Sequence, residues 1–274
     1  MKDLPLILFT LCMQAAIGAI IWAAVVRLKD KEAPAFKTNT LVALILSVVG
    51  MLASLVHLGK PFLAITSLSN LVSSWLSREI FFSGGFFVLL IIFWWLERTD
   101  KAVSARNVLS WLAGLAGLVA IFSMGQLYRQ TVIPAWQSAN TLVDFYATAL
   151  ILGAVVLYLT AGKERARLPR LDLAVLAIVF IQIAFVQNYL AGIGAMAGAG
   201  QESAALLAGS YGFLTVLRWL LMLGGIFLVV LSRTDKYASQ AGILYTGVGV
   251  LLVGAFIGRF LFYVSGIPIG IGII

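Results

Sequence analysis

The sequence predicts an all-helical, polytopic integral membrane protein with eight transmembrane helices and both termini on the outer, periplasmic face. Three observations carry this. Of 274 residues, 62% are apolar and 11% are charged, with a mean hydropathy of +1.04. A water-soluble domain carries about 25% charged and about 45–50% apolar residues, so a soluble enzyme is excluded, and so is a disordered chain. The apolar residues form eight long runs, not the alternating segments of about 10 residues that build a membrane barrel. Finally, most of the basic residues lie in alternate gaps between the runs, which is the asymmetry that orients a membrane protein.

The runs are read as 6–26, 38–56, 80–96, 108–128, 145–161, 173–190, 211–231 and 241–264, within one transmembrane domain covering 1–274. Crossing the hydrocarbon takes about 20 helical residues, which each run approaches or exceeds. The first run is expected to be a retained helix. It is longer than a signal peptide's apolar core of about 7–15 residues, and its only leading cation, Lys2, is followed by Asp3.

Orientation follows from charge. Arg27, Lys29, Lys31 and Lys37 follow the first run, and Arg98, Lys101 and Arg106 the third. Lys163, Arg165, Arg167 and Arg170 follow the fifth, and Arg233 and Lys236 the seventh. These 13 of the 19 basic residues mark the cytoplasmic side. The net charge of +8 is therefore a topology signal, and no nucleic-acid motif accompanies it. The gaps on the other side are longer and carry Pro61, Trp75, Pro134, Trp136 and a small-residue stretch after Ala191. The outer face is expected to be the working face, in a bacterial cytoplasmic membrane.

Ionisable residues inside a span cost several kcal/mol and are functional candidates by default. His57 ends the second run, and Arg78 and Glu79 precede the third. Asp144 precedes the fifth, Arg218 lies in the seventh, and Arg259 and Tyr263 share a face of the eighth. Gln126, Tyr128, Gln187, Asn188 and Tyr189 end intervening runs on the same side. The opposite halves are expected to carry almost nothing ionisable. Such a one-sided polar cluster suits an amphipathic ligand whose tail lies in lipid, and quinol is the candidate. Its oxidation releases two protons that need acceptors within hydrogen-bond reach. Glu79 and His57 are the candidate acceptors, with Arg259, Tyr263, Arg78 and Arg218 as candidate quinol-binding residues. Plainer roles stand beside these: dipole stabilisation for Glu79, snorkelling for Arg78, helix capping for Asp144, and interface anchoring for Trp75 and Trp136.

Cys12 is the only cysteine and His57 the only histidine. An iron–sulfur cluster takes four Cys ligands, so this polypeptide alone cannot hold one, and a bis-histidine haem is excluded too. A His/Met haem survives the ligand count only. Two other functional classes stay open. A secondary transporter would place its binding groups near the midplane on broken helices, whereas these lie at helix ends. A purely structural anchor would have no quinol site.

The stretch His57-Leu58-Gly59-Lys60-Pro61, then Ser67-Leu68, then Leu76-Ser77-Arg78-Glu79-Ile80, resembles the DmsC-type anchor subunit of anaerobic dimethyl sulfoxide reductase. Gly258-Arg259-Phe260-Leu261-Phe262-Tyr263 is similar to that family's Gly-Arg-x-x-Phe-Tyr motif, and Pro134-Ala135-Trp136 to its Pro-x-Trp element. The wider polysulfide-reductase-type anchors share an eight-helix plan. The resemblance implies a haem-free anchor that oxidises quinol, menaquinol or ubiquinol, near the periplasmic face. Electrons would pass to a four-cluster iron–sulfur subunit and on to a molybdopterin catalytic subunit. It also ties His57 and Glu79 to the quinol site. Two departures stand out: Arg78 occupies a position that is usually Asn in the family, and the tail after Tyr263 lacks the family's His-Met.

Overall fold

The computed structural model describes residues 3–29, 36–57, 66–99, 103–234, 236–237 and 240–269. Eight helices among them are long and apolar enough to cross a membrane: α1 (Leu4–Lys29), α2 (Lys37–His57), α3 (Trp75–Thr99), α4 (Val103–Arg129), α6 (Asn140–Thr160), α7 (Leu171–Gly194), α9 (Gly212–Leu231) and α10 (Ala241–Val264). Two short helices, α5 (Pro134–Gln137) and α8 (Ala199–Ala208), lie in connections that the sequence leaves as loops. Pro134 opens α5, where its missing N–H costs nothing.

Most of the long helices outrun their apolar runs. The third starts at Trp75, five residues before the run at 80, because Ser74 caps it: the Ser77 N–H donates to Ser74 Oγ at 3.3 Å. Arg78 and Glu79 are thereby inside the helix. In the same way α6 starts at Asn140, so Asp144 lies more than a turn inside it and is not its cap.

The polypeptide forms two compact units. The first holds α1, α2, α3, α4 up to Met124 and α6 from Thr148. α1 is its centre, with Met13, Ala16, Ile17, Ala19 and Ile20 fully buried. A Cβ on Gly18 would collide with the Ala149 carbonyl, and one on Gly153 with the Gly18 backbone. The backbones of α1 and α6 therefore touch, as small residues allow in membranes. Trp22 Nε1 donates to the Leu150 carbonyl at 2.7 Å across the same seam. On α2, Leu41, Ile45, Val48, Leu52 and Val56 are exposed at helical spacing, an apolar stripe suited to lipid.

The expectation that the halves away from the outer face carry almost nothing ionisable is corrected here. Near the C-terminal ends of α1 and α3, Arg27 pairs with the fully buried Glu97. The Arg27 guanidinium also lies 5.2 Å from the Phe36 ring and 5.3 Å from the Phe93 ring. Paired charges let these helices continue past the apolar runs. Arg27, Arg98 and Arg106, read as loop cations, lie within α1, α3 and α4.

The second unit holds the last turn of α4, α5, the start of α6, and α7–α10. α9 and α10 meet at Gly225 and Gly247. A Cβ on either would lie 2.9 Å from the other's carbonyl oxygen. Ile193, Leu207 and Leu261 form a buried cluster joining α7, α8 and α10.

Gly18→Ala should lower stability by about 1–3 kcal/mol or more, as overpacking does. Thermal unfolding in detergent reads this. Gly242→Ala, in open space among the described residues, should leave the midpoint unchanged.

Candidate functional site

In the first unit, Phe9 of α1, Met51, Ser54 and Leu55 of α2, and Glu79, Ile80, Ser83 and Gly84 of α3 line a cleft with about 490 Å³ of empty volume. Its walls are apolar except for Glu79, Ser83 and Ser54. Glu79 is 6% exposed and Ser83 is 5% exposed. They stand four residues apart, hence on one helix face. Among the described residues the Glu79 carboxyl has neither a hydrogen bond nor an ion pair, and the Ser83 hydroxyl has no hydrogen-bond partner.

Arg78 is held elsewhere. Its Nε donates to the Leu71 carbonyl at 2.9 Å and another guanidinium nitrogen to the Val72 carbonyl. The group lies 4.1 Å over the Trp75 ring. It fixes the turn that leads into α3. His57 is the last residue of α2, three residues after Ser54. Its side chain and the motif residues Leu58–Pro61 lie outside the described residues.

The second unit gathers Asp144, Arg218, Arg259 and Tyr263. Asp144 accepts from Arg218 and, at 3.1 Å, from Gln182 Nε2. Arg259 Nη2 lies 4.0 Å from its other oxygen. Arg259 is 1% exposed, with its guanidinium 3.9 Å over the Phe145 ring. The Tyr263 and Tyr128 hydroxyls are hydrogen-bonded at 2.7 Å. Trp136 stacks on Phe262 and donates to the Phe262 carbonyl at 2.7 Å, so it is a packing residue as well as an aromatic near a span end. A pocket with about 520 Å³ of empty volume opens beside this group, lined in part by Asn140, Thr141, Asp144, Tyr189, Arg218 and Ser265. Gln187 and Asn188 are exposed.

The two carboxylates thus differ in chemistry. Asp144 is fully engaged by guanidinium and amide donors, which makes it a lock. Among the described residues the Glu79 oxygens have no partner, so they can receive a proton from a ligand. No group of three metal-ligating side chains occurs among the described residues. Sequence reading missed Ser83, Gln182 and the Arg27–Glu97 pair. Ser83 and Gln182 were visible as polar residues within apolar runs, whereas the ion pair joins positions 70 residues apart.

Residues 1–265 match the family described as the DMSO reductase anchor subunit (DmsC). The sequence is 32% identical over 278 residues to a subunit polypeptide of the anaerobic dimethyl sulfoxide reductase of Haemophilus influenzae, covering 95% of this protein and 94% of that one. It is 28% identical over 280 residues to the polypeptide of the same name in Escherichia coli K12, covering 98% and 96% respectively. It is also 26% identical over 275 residues to the anaerobic dimethyl sulfoxide reductase polypeptide YnfH of the same organism, covering 98% and 96%.

Asp144→Asn should remove the carboxylate that pairs with Arg218 and lies beside Arg259, and cost about 3–5 kcal/mol, the usual penalty for breaking a buried ion pair. Denaturant or thermal unfolding of the detergent-solubilised protein reads the loss.

Proposed function

The protein belongs to the DMSO reductase anchor subunit (DmsC) family, and from that premise we propose that it binds quinol in the Glu79 cleft and oxidises it for a membrane-bound reductase. The observation that carries this reading is the buried Glu79 carboxyl, without a partner among the described residues, in a cleft that is otherwise mostly apolar. A buried polar group left unpaired calls for an explanation, and within a membrane span the default explanation is function. A ligand with a hydroxyl head and an apolar body satisfies both the carboxyl and the walls.

Quinol oxidation releases two protons and two electrons. In this reading Glu79 takes one proton and His57 the other. The electrons leave for a four-cluster iron–sulfur subunit and then a molybdopterin catalytic subunit, since this polypeptide has too few cysteines for a cluster. The membrane is a bacterial cytoplasmic membrane with both termini outside, so the protons are released on the periplasmic side. Arg78 fixes the turn from which Glu79 projects. Quinol-binding roles for Arg218, Arg259 and Tyr263 belong to the same proposal, and the KM for quinol in their variants reads them.

Glu79→Gln should lower quinol-driven turnover by about 10²-fold or more, the share of a general base, in a complex that still assembles. Turnover driven by a reduced dye at the catalytic subunit is the control, and equal loss of both activities would give Glu79 a structural role. Gly84→Leu places a side chain in space that is open among the described residues and should block quinol in the same way. In sealed vesicles, quinol-driven turnover should be close to electroneutral, because the two protons quinol releases on the periplasmic side match the two that terminal reduction takes up there; protons appearing on the cytoplasmic side would refute the orientation.

A further inference from the structure

Buried helical hydroxyls elsewhere in the first unit turn back onto their own helix. Thr10 donates to the Leu6 carbonyl at 2.9 Å, Thr40 to Phe36 at 2.9 Å, Ser47 to Ala43 at 2.9 Å, and Ser123 to Val119 at 2.9 Å. This is the ordinary resting place of a hydroxyl within an apolar helix. Ser83 has the equivalent acceptor available, the carbonyl of Glu79 one turn earlier, and does not use it. Ser83 lines the cleft, and its hydroxyl is buried and has no hydrogen-bond partner among the described residues. A neutral hydroxyl left unpaired in an apolar site costs stability, and a bound ligand oxygen would remove that cost.

We infer that Ser83 is a second ligand-contacting residue of the cleft, whose hydroxyl donates to the same ring oxygen that faces Glu79. The inference rests on the quinol reading above. The i, i+4 spacing sets the two side chains side by side, close enough for one oxygen to serve both. Before oxidation the quinol hydroxyl donates to the Glu79 carboxylate while its lone pair accepts from Ser83. During oxidation that O–H bond breaks and its proton passes to Glu79. The second proton passes from the other oxygen to His57, as in that reading, and the two electrons leave for the iron–sulfur partner. The ring oxygen is then a carbonyl, which can only accept. Ser83 keeps its own proton throughout and holds quinol and quinone in one position. Ser83 thus recognises the oxidised head group at least as strongly as the reduced one.

The test uses membranes carrying the whole complex, with a soluble naphthoquinol as electron donor and the matching naphthoquinone as product inhibitor. Ser83→Ala should raise both the KM for the quinol and the inhibition constant of the quinone by about three- to tenfold, the share of one hydrogen bond. Ser83→Thr, which keeps the hydroxyl, should stay near wild type in both. Complex assembly should be unaffected by the alanine variant, because it deletes a hydroxyl that bonds to nothing among the described residues. Wild-type constants in Ser83→Ala, equal losses in the alanine and threonine variants, or failed assembly of the alanine variant would each overturn the inference. Glu79→Gln separates this outcome from the parent reading. Full quinol turnover in that variant sinks the quinol reading itself, whereas its loss together with an unaffected Ser83→Ala sinks only the role of Ser83.

Discussion

A polar group inside a hydrocarbon layer has no water to turn to, so its partner must come from the protein or from a ligand. Much of the architecture follows from this constraint. Asn39 Nδ2 donates to the Ala19 carbonyl at 3.3 Å, and Thr160 bonds both Asn39 and its own helix. Glu97 is carried by Arg27, whose guanidinium also lies near two phenyl rings, and Asp144 is carried by arginines from α9 and α10. Against this background Glu79 and Ser83 stand apart. They are as deeply buried as the paired groups, and they face a cleft.

Close helix contact supplies the other part of the framework. Association in lipid draws on packing more than on the hydrophobic effect, and glycine allows the closest approach. The seams at Gly18 and Gly153 in one unit and at Gly225 and Gly247 in the other bring carbonyl oxygens against facing backbone. These contacts lie within α1, α6, α9 and α10, which also carry Arg27, Asp144, Arg218 and Arg259.

The eight spans were legible in the sequence because hydropathy is a sum over many residues and tolerates local exceptions. Their ends were not, and the reason is visible at Glu79, Glu97 and Asp144. A charge normally marks a span boundary, but a cap at Ser74 and an ion pair at Arg27–Glu97 let helix continue through the charges. The motif residues Glu79, Arg259 and Tyr263 stood out from the sequence because ionisable and polar residues near span ends are rare. Arg78 stood out for the same reason, yet its guanidinium is spent on the carbonyls of Leu71 and Val72, a turn-level detail that spacing does not encode. Ser83 was visible only as one polar residue in an apolar run. A serine in an apolar helix is ordinary, and only the absence of its usual backbone bond distinguishes it.

The notch at Gly258 carries a different kind of consequence. A Cβ there would lie 2.7 Å from the guanidinium carbon of Arg218, so the glycine is the space through which Arg218 reaches Asp144. Substitution at 258 and shortening at 218 are therefore each harmful alone and compatible together. Across descendants of a common ancestor the two positions should drift as a coupled pair.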